Sequence, residues 1–160
     1  MPRLLSALLL CLVHAALPAQ EQPDAAALAV IVAAADKDLR IDASRLNLIY
    51  RRKLQFWPDG QRVHPINLPA AHPLRQRFSS LVLGASPRAL EEFWNERYFL
   101  GIQPPFVVSS VEAMIRIVAD TSGAIGYVGA CAADPRVRVV LRIPEGAAEP
   151  ACPAEAPPGP

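Results

Sequence analysis

SSVEAMIRIVADTSGAIGYVGA, Ser109 to Ala130, is the stretch that decides the fold. Ser109 followed by Glu112 has capping-box spacing, where each side chain answers an unpaired amide at the start of a helix. Val111, Met114, Ile115 and Val118 recur at helical spacing and make one apolar stripe. Gly123 closes the helix, since the left-handed turn that ends many helices suits a residue without Cβ. Ala124 to Val128 (AIGYV) then reads as a buried strand. A helix that runs straight into a strand is a unit of an α/β domain.

The same grammar continues upstream. Ser86-Pro87 is a second helix start, a cap followed by proline. Leu90, Phe93, Trp94 and Tyr98 are its expected buried side, and Gly101 its end. Pro73 opens a further helix, with Leu74, Phe78, Leu81 and Val82 as its apolar face and Gly84 as its stop. Before it, Arg62 to Leu68 reads as a strand, which Pro65 makes an edge or an interrupted pairing. Trp57-Pro58-Asp59-Gly60 is a turn. Leu46, Ile49, Tyr50 and Leu54 place a helix from Ser44, capped by Asp42 or Ser44. Leu28 to Val32 (LAVIV) is a short buried strand, although its flanking alanines leave a helix possible. Downstream, Val137 to Ile143 alternates, with Val137, Val139, Leu141 and Ile143 on one face and Arg138 and Arg142 on the other. That pattern predicts a half-buried strand.

The ends are of another kind. Met1 to Ala19 (MPRLLSALLLCLVHAALPA) has a basic start, an apolar run and small residues at its close, the parts of a cleaved export signal. An uncleaved anchor is the alternative, but the apolar run is short for a hydrocarbon core of about 30 Å. Pro144 to Pro160 holds six Pro and two Gly and reads as a flexible tail. The reading is therefore signal at 1–19, domain at 24–143 and tail at 144–160, with a periplasmic or secreted destination. Once Cys11 leaves with the signal, Cys131 and Cys152 remain. In an oxidising compartment they suggest one disulfide, with two unpaired thiols as the alternative.

Composition narrows the function. Of 160 residues, 16 are Lys or Arg and 15 are Asp or Glu. With Arg3 removed the chain is neutral, which argues against a nucleic-acid partner or an anionic membrane surface. No later segment is long enough to span a membrane. No HExxH, GxSxG, Walker loop or GxGxxG is present, so neither catalysis, metal nor cofactor is expected. Glu91, Glu92 and Glu96 read as the wet face of a helix. Arg51-Arg52-Lys53 reads as a solvated helix end, or else as an anion contact.

Between Ile31 and Val128 the chain resembles the substrate-binding proteins of phosphate ABC transporters, in particular short, single-domain relatives. SRLNLIYRRKLQFWPDGQRVHPIN (Ser44–Asn67), RQRFSSLVLGAS (Arg75–Ser86), EEFWNERYFLGIQPP (Glu91–Pro105) and the opening segment match that family's pieces in order. Gly123 to Tyr127 (GAIGY) is the most specific of them. The resemblance implies one lobe, the later one, of a type II periplasmic binding fold: a small mixed sheet flanked by helices. It also implies a non-catalytic module for phosphate or another small oxyanion. Where full-length members carry Arg and then Asp-Gly-Ser-Gly-Thr, this chain has Asn67-Leu68-Pro69-Ala70-Ala71-His72-Pro73. The hydroxyls are absent, and Pro73 lacks an amide donor. Asn67, His72 and Arg75, with Ser109 and Ser110 at the next helix start, are the anion-site candidates. A partner lobe or self-association would complete a cleft. The competing reading is an envelope interaction domain that keeps the lobe's fold without a ligand.

Overall fold

The computed structural model describes residues 27–36 and 39–144. The expected signal, the tail beyond Pro144 and Cys152 lie outside the described residues. Five strands form one mixed sheet in the order β3-β2-β4-β1-β5. They are β1 (Ala27–Ala33), β2 (His64–Asn67), β3 (Phe106–Val107), β4 (Ala124–Gly129) and β5 (Val137–Pro144). β2 runs parallel to β3 and β4, while β1 is antiparallel to β4 and β5. The helices are α1 (Ala43–Tyr50), α2 (Pro73–Phe78), α3 (Glu91–Phe99) and α4 (Val111–Asp120).

Successive residues of a strand face opposite sides, and β4 uses this fully. Gly126 faces α4, where an added Cβ would lie 2.4 Å from Met114 Sδ and 2.9 Å from Val118 Cγ2. Tyr127, on the other side, packs against Phe78 of α2 and Tyr50 of α1. The sheet therefore has α4 on one face and α1 with α2 on the other. β1, lying between β4 and β5, is buried along its whole length. This settles the choice between strand and helix that its alanines left open.

Gly123 does not itself end α4: the helix stops at Asp120 with an extended Thr121 as its cap. Gly123, at φ +76°, sits in the turn that follows, where the Ala124 amide donates to the Thr121 carbonyl and a Cβ on Gly123 would meet the backbone oxygen of Arg62. The Gly123 carbonyl accepts both the His64 amide and the Trp57 indole N–H, at 3.0 and 3.1 Å. The Trp57–Gly60 turn is thereby docked on the start of β4.

Several expectations are corrected. The cap of α4 is Ser110, whose Oγ accepts from the Ala113 amide at 3.1 Å; Ser109 stands one residue before it. The Pro73 helix is not uniform, because after Phe78 it widens into a π-helical turn, Ser79–Leu83, before Gly84 ends it. That extra residue per turn shifts the phase of the stripe, and Leu81 is left exposed. α1 stops at Tyr50, short of Leu54. β2 is shorter than the strand read from sequence and lies inside the sheet, so of the two readings of Pro65 the edge fails and the interrupted pairing holds. Pro65 is tolerated because the His64 amide points to β4, so the next residue's missing N–H faces β3, which pairs only from Ile66 onward. α3 buries none of its residues. Of the side expected to be buried, only Leu90, just before the helix, is enclosed, and Tyr98 is 60% exposed. Phe93 sits instead between the guanidinium groups of Arg51 and Arg97, at 5.3 and 5.2 Å. In β5 the register slips between Val30 and Ile31, so Val140 is an extra residue and the alternation does not run through.

The contact at Gly126 gives a first prediction. Gly126→Ala forces a methyl into Met114 and destabilises the fold by about 1–3 kcal/mol. Gly123→Ala costs more, since its obstacle is backbone and its φ is left-handed. Urea unfolding followed by Trp fluorescence measures both; an unchanged midpoint for Gly126→Ala would show that α4 does not need the close approach.

Candidate functional site

In a sheet with parallel strands, the strand C-termini are where ligand sites form. The sequence candidates gather there. β2 ends at Asn67, in register with Val107, the last residue of β3, and the Val108 amide donates to the Asn67 carbonyl at 2.8 Å. Ser109 and Ser110 follow β3, and His72 and Arg75 follow β2.

The candidates play different parts. His72 caps α2: its Nδ1 accepts from the Leu74 amide at 3.2 Å. Ser110 is likewise occupied as the cap of α4, and Ser109 is exposed. Asn67 and Arg75 are buried, at 3% and 8% exposure. Asn67 Oδ1 accepts from the Tyr127 hydroxyl at 3.2 Å, and that hydroxyl in turn accepts from the Leu68 amide at 3.3 Å. With Oδ1 engaged, the free capacity of the Asn67 side chain is its amide donor. Arg75 Nη1 is buried without a hydrogen-bond partner, and so is Ser79 Oγ, one turn further along the same helix.

Beneath them stands an aromatic column. Tyr50 and Phe78 are 4.5 Å apart, and Phe78 stacks on Tyr127 at 4.0 Å and 6°. The Tyr50 hydroxyl reaches two strands, the Ile66 carbonyl of β2 at 2.9 Å and the Ile125 carbonyl of β4 at 3.3 Å. Burial pushes the Tyr127 phenol up to about 12 and the Tyr50 phenol well above its ordinary value; the nearby Arg75 cation opposes both shifts. Burial also pushes the Arg75 guanidinium down, partly offset by the two phenols. The cluster is thus a buried cation and an amide donor over neutral phenols.

Sequence reasoning missed Tyr127, Tyr50 and Ser79 as members of this cluster. The GAIGY segment displayed Tyr127 only as part of a strand, and nothing local says which residue lies across the sheet from it. Cys131 is disulfide-bonded, while its expected partner Cys152 is outside the described residues. Among the described residues no group of three His, Cys, Asp or Glu could hold a metal ion, and no helix is long and apolar enough to cross a membrane.

Solved structures share this architecture. An ABC-type phosphate transport receptor from Vibrio cholerae superposes with a TM-score of 0.58 at 21% identity. The chain has the fold of these receptors. A putative phosphate ABC transporter substrate-binding protein from Clostridium perfringens, solved with bound phosphate, gives a TM-score of 0.59 at 16% identity, and PstS from Borrelia burgdorferi gives 0.52 at 22%. The first two matches take in 72% of this chain and the third 66%. They cover only 45%, 44% and 41% of the receptors, so the chain spans less than half their length. No protein-family model and no curated protein sequence matches the chain.

The phenols set an alkaline limit. Tyr127 ionises near 10.0 unfolded and near 12 in the fold. A raised value means the contribution is complete below pH 10 and is lost as pH rises through 12. Stability therefore falls across that window, by up to about 3 kcal/mol for two pKa units. Melting temperatures taken from pH 9 upward test this: Tyr127→Phe flattens the slope, and an equally steep slope in that variant would remove Tyr127 as its source.

Proposed function

We propose that the chain is an exported, non-catalytic solute-binding-like module that takes phosphate or another small oxyanion at Asn67 and Arg75. The observation that carries this reading is Arg75: a guanidinium buried to 8% exposure with Nη1 unpartnered. A buried charge without a counter-charge is costly. An oxyanion would supply that counter-charge, and Arg presents a fork of donors suited to it. Asn67, whose Oδ1 is held by the Tyr127 hydroxyl, offers its amide N–H as a further donor. The likeness to phosphate receptors supports the same class of ligand, and a periplasmic or secreted location follows from the signal-like Met1–Ala19.

A second reading is an interaction domain without a ligand. It is favoured by exposed apolar residues at the end of α3 and on the edge strand β3, with Phe99 at 87%, Leu100 at 73% and Phe106 at 63% exposure. In a chain under half the receptors' length, such a face suits a partner lobe or a second copy.

Melting in the presence of phosphate, sulfate and molybdate separates the two. On the first reading one oxyanion raises the melting temperature, by the equivalent of about 2.7 kcal/mol at a hundredfold excess over its dissociation constant. Arg75→Met abolishes that response and stabilises the ligand-free protein by at least about 1 kcal/mol, because an unpaired buried cation gives way to an apolar side chain. A flat response to all three anions at millimolar concentration overturns the oxyanion reading and leaves the interaction domain.

A further inference from the structure

The end of β2 remote from Asn67 carries a second feature. α1 finishes in a Schellman motif: the Lys53 amide donates to the Leu48 carbonyl at 2.8 Å and the Arg52 amide to the Ile49 carbonyl at 2.9 Å. The residue in the left-handed position of this motif is normally glycine. Here it is Arg52, with φ +57°, the one non-glycine residue with positive φ among those described. A side chain kept where it strains the backbone is a reason to ask what the side chain does.

The Arg52 side chain leads to a hollow of about 380 Å³, at the small end of the roughly 300–1,000 Å³ usual for ligand pockets. Its Nη1 donates to the Val63 carbonyl at 3.3 Å, while Nε is buried without a partner. The rest of its lining is mainly apolar, Ile66, Pro105, Phe106 and Ile117 among it, with His64 and Thr121 as further polar members. No Asp or Glu lines the hollow. One cation with spare donor capacity, among proline, phenylalanine and isoleucine, is a description of the ligand: one negative charge on a compact apolar body.

From this we infer that the hollow is a binding site for small monocarboxylates with a ring-sized apolar body. The Arg52 guanidinium takes the carboxylate through the N–H groups that it does not give to Val63, and the ring lies against Phe106 and Pro105. Inorganic oxyanions lack the apolar part, so this site differs in chemistry from Asn67 and Arg75, neither of which lines the hollow.

Titration of the purified protein with benzoate, followed by amide shifts in two-dimensional NMR, tests the assignment. Saturable shifts centred on Arg52, Phe106 and Ile117 are expected. Acetate, which lacks the ring, and benzamide, which lacks the charge, should each bind at least about tenfold more weakly, and so should benzoate to Arg52→Gln. Phosphate should not displace benzoate. Arg52→Gly guards against misreading a folding defect: it relieves the left-handed strain, so its melting temperature should stay at or above the parent's while benzoate binding is lost. Absence of saturation, undiminished binding to Arg52→Gln or Arg52→Gly, acetate as tight as benzoate, or displacement by phosphate would each overturn the proposal.

Discussion

The seating of α4 on β4 at Gly126 is the contact from which the other arrangements follow. A helix can approach a strand this closely only where the strand presents no side chain, and Met114 and Val118 fill the space a Cβ would take. That fixes which face of β4 belongs to α4. Because neighbouring residues alternate, it also fixes the direction of Tyr127. Tyr127 then carries Phe78 and Tyr50, which seat α2 and α1, and its hydroxyl reaches Asn67 and Leu68 at the end of β2. Arg75 is placed over this column by α2. A change of register by one residue in β4 would exchange the two faces and take the polar cluster with it.

The arginines of this fold divide by what their guanidinium groups find. Arg51 donates to the Leu83 carbonyl and Arg138 to the carbonyls of Asp36 and Leu39. Those groups close loops and helix ends on the rest of the domain, and their cost is offset by the acceptors they satisfy. Arg75 Nη1 finds no such acceptor although Arg75 is among the most deeply buried polar residues. The phenols beneath it remain neutral because burial raises them, so they supply dipoles but no counter-charge. On the oxyanion reading, that unpaired donor is held ready at the expense of stability, as functional sites commonly are.

Much of the architecture was legible in the chain because local chemistry dictates it. Pro73 and Gly84 mark helix boundaries where they were expected, and Asp42 caps α1. The errors fall where tertiary context decides. α3 has an apolar side on paper, but only its first turns meet the rest of the fold, Trp94 against the core and Phe93 against Arg51, so Tyr98 stays in solvent. A two-residue strand such as β3 is too short for any periodicity to show. The π-helical turn at Ser79–Leu83 arises from a change of hydrogen-bond register that propensities do not encode. At the candidate site, polarity near a helix start pointed to Asn67, His72 and Arg75 together. Only coordinates could separate His72, which is consumed as a cap, from Arg75, which is not.

Exposure to water decides how strong an anion site at Arg75 would be. Charge pairing gains strength as water is removed, because the same separation interacts far more strongly at low effective dielectric. The Arg75 cation acts on both phenols of the Tyr50–Phe78–Tyr127 column, and on the oxyanion reading a ligand held there would gain strength from any surface that excludes water. A single wall yields weak, salt-sensitive capture; a second wall, from a partner or another copy, yields a dry site. The exposed apolar residues of α3 and β3 matter here for a physical reason: Phe106 and Val107 belong to the strand directly beside Asn67. A surface that covers them would also exclude water from the end of β2. On the oxyanion reading, burial of that face and anion affinity would be coupled, each strengthening the other by the same factor.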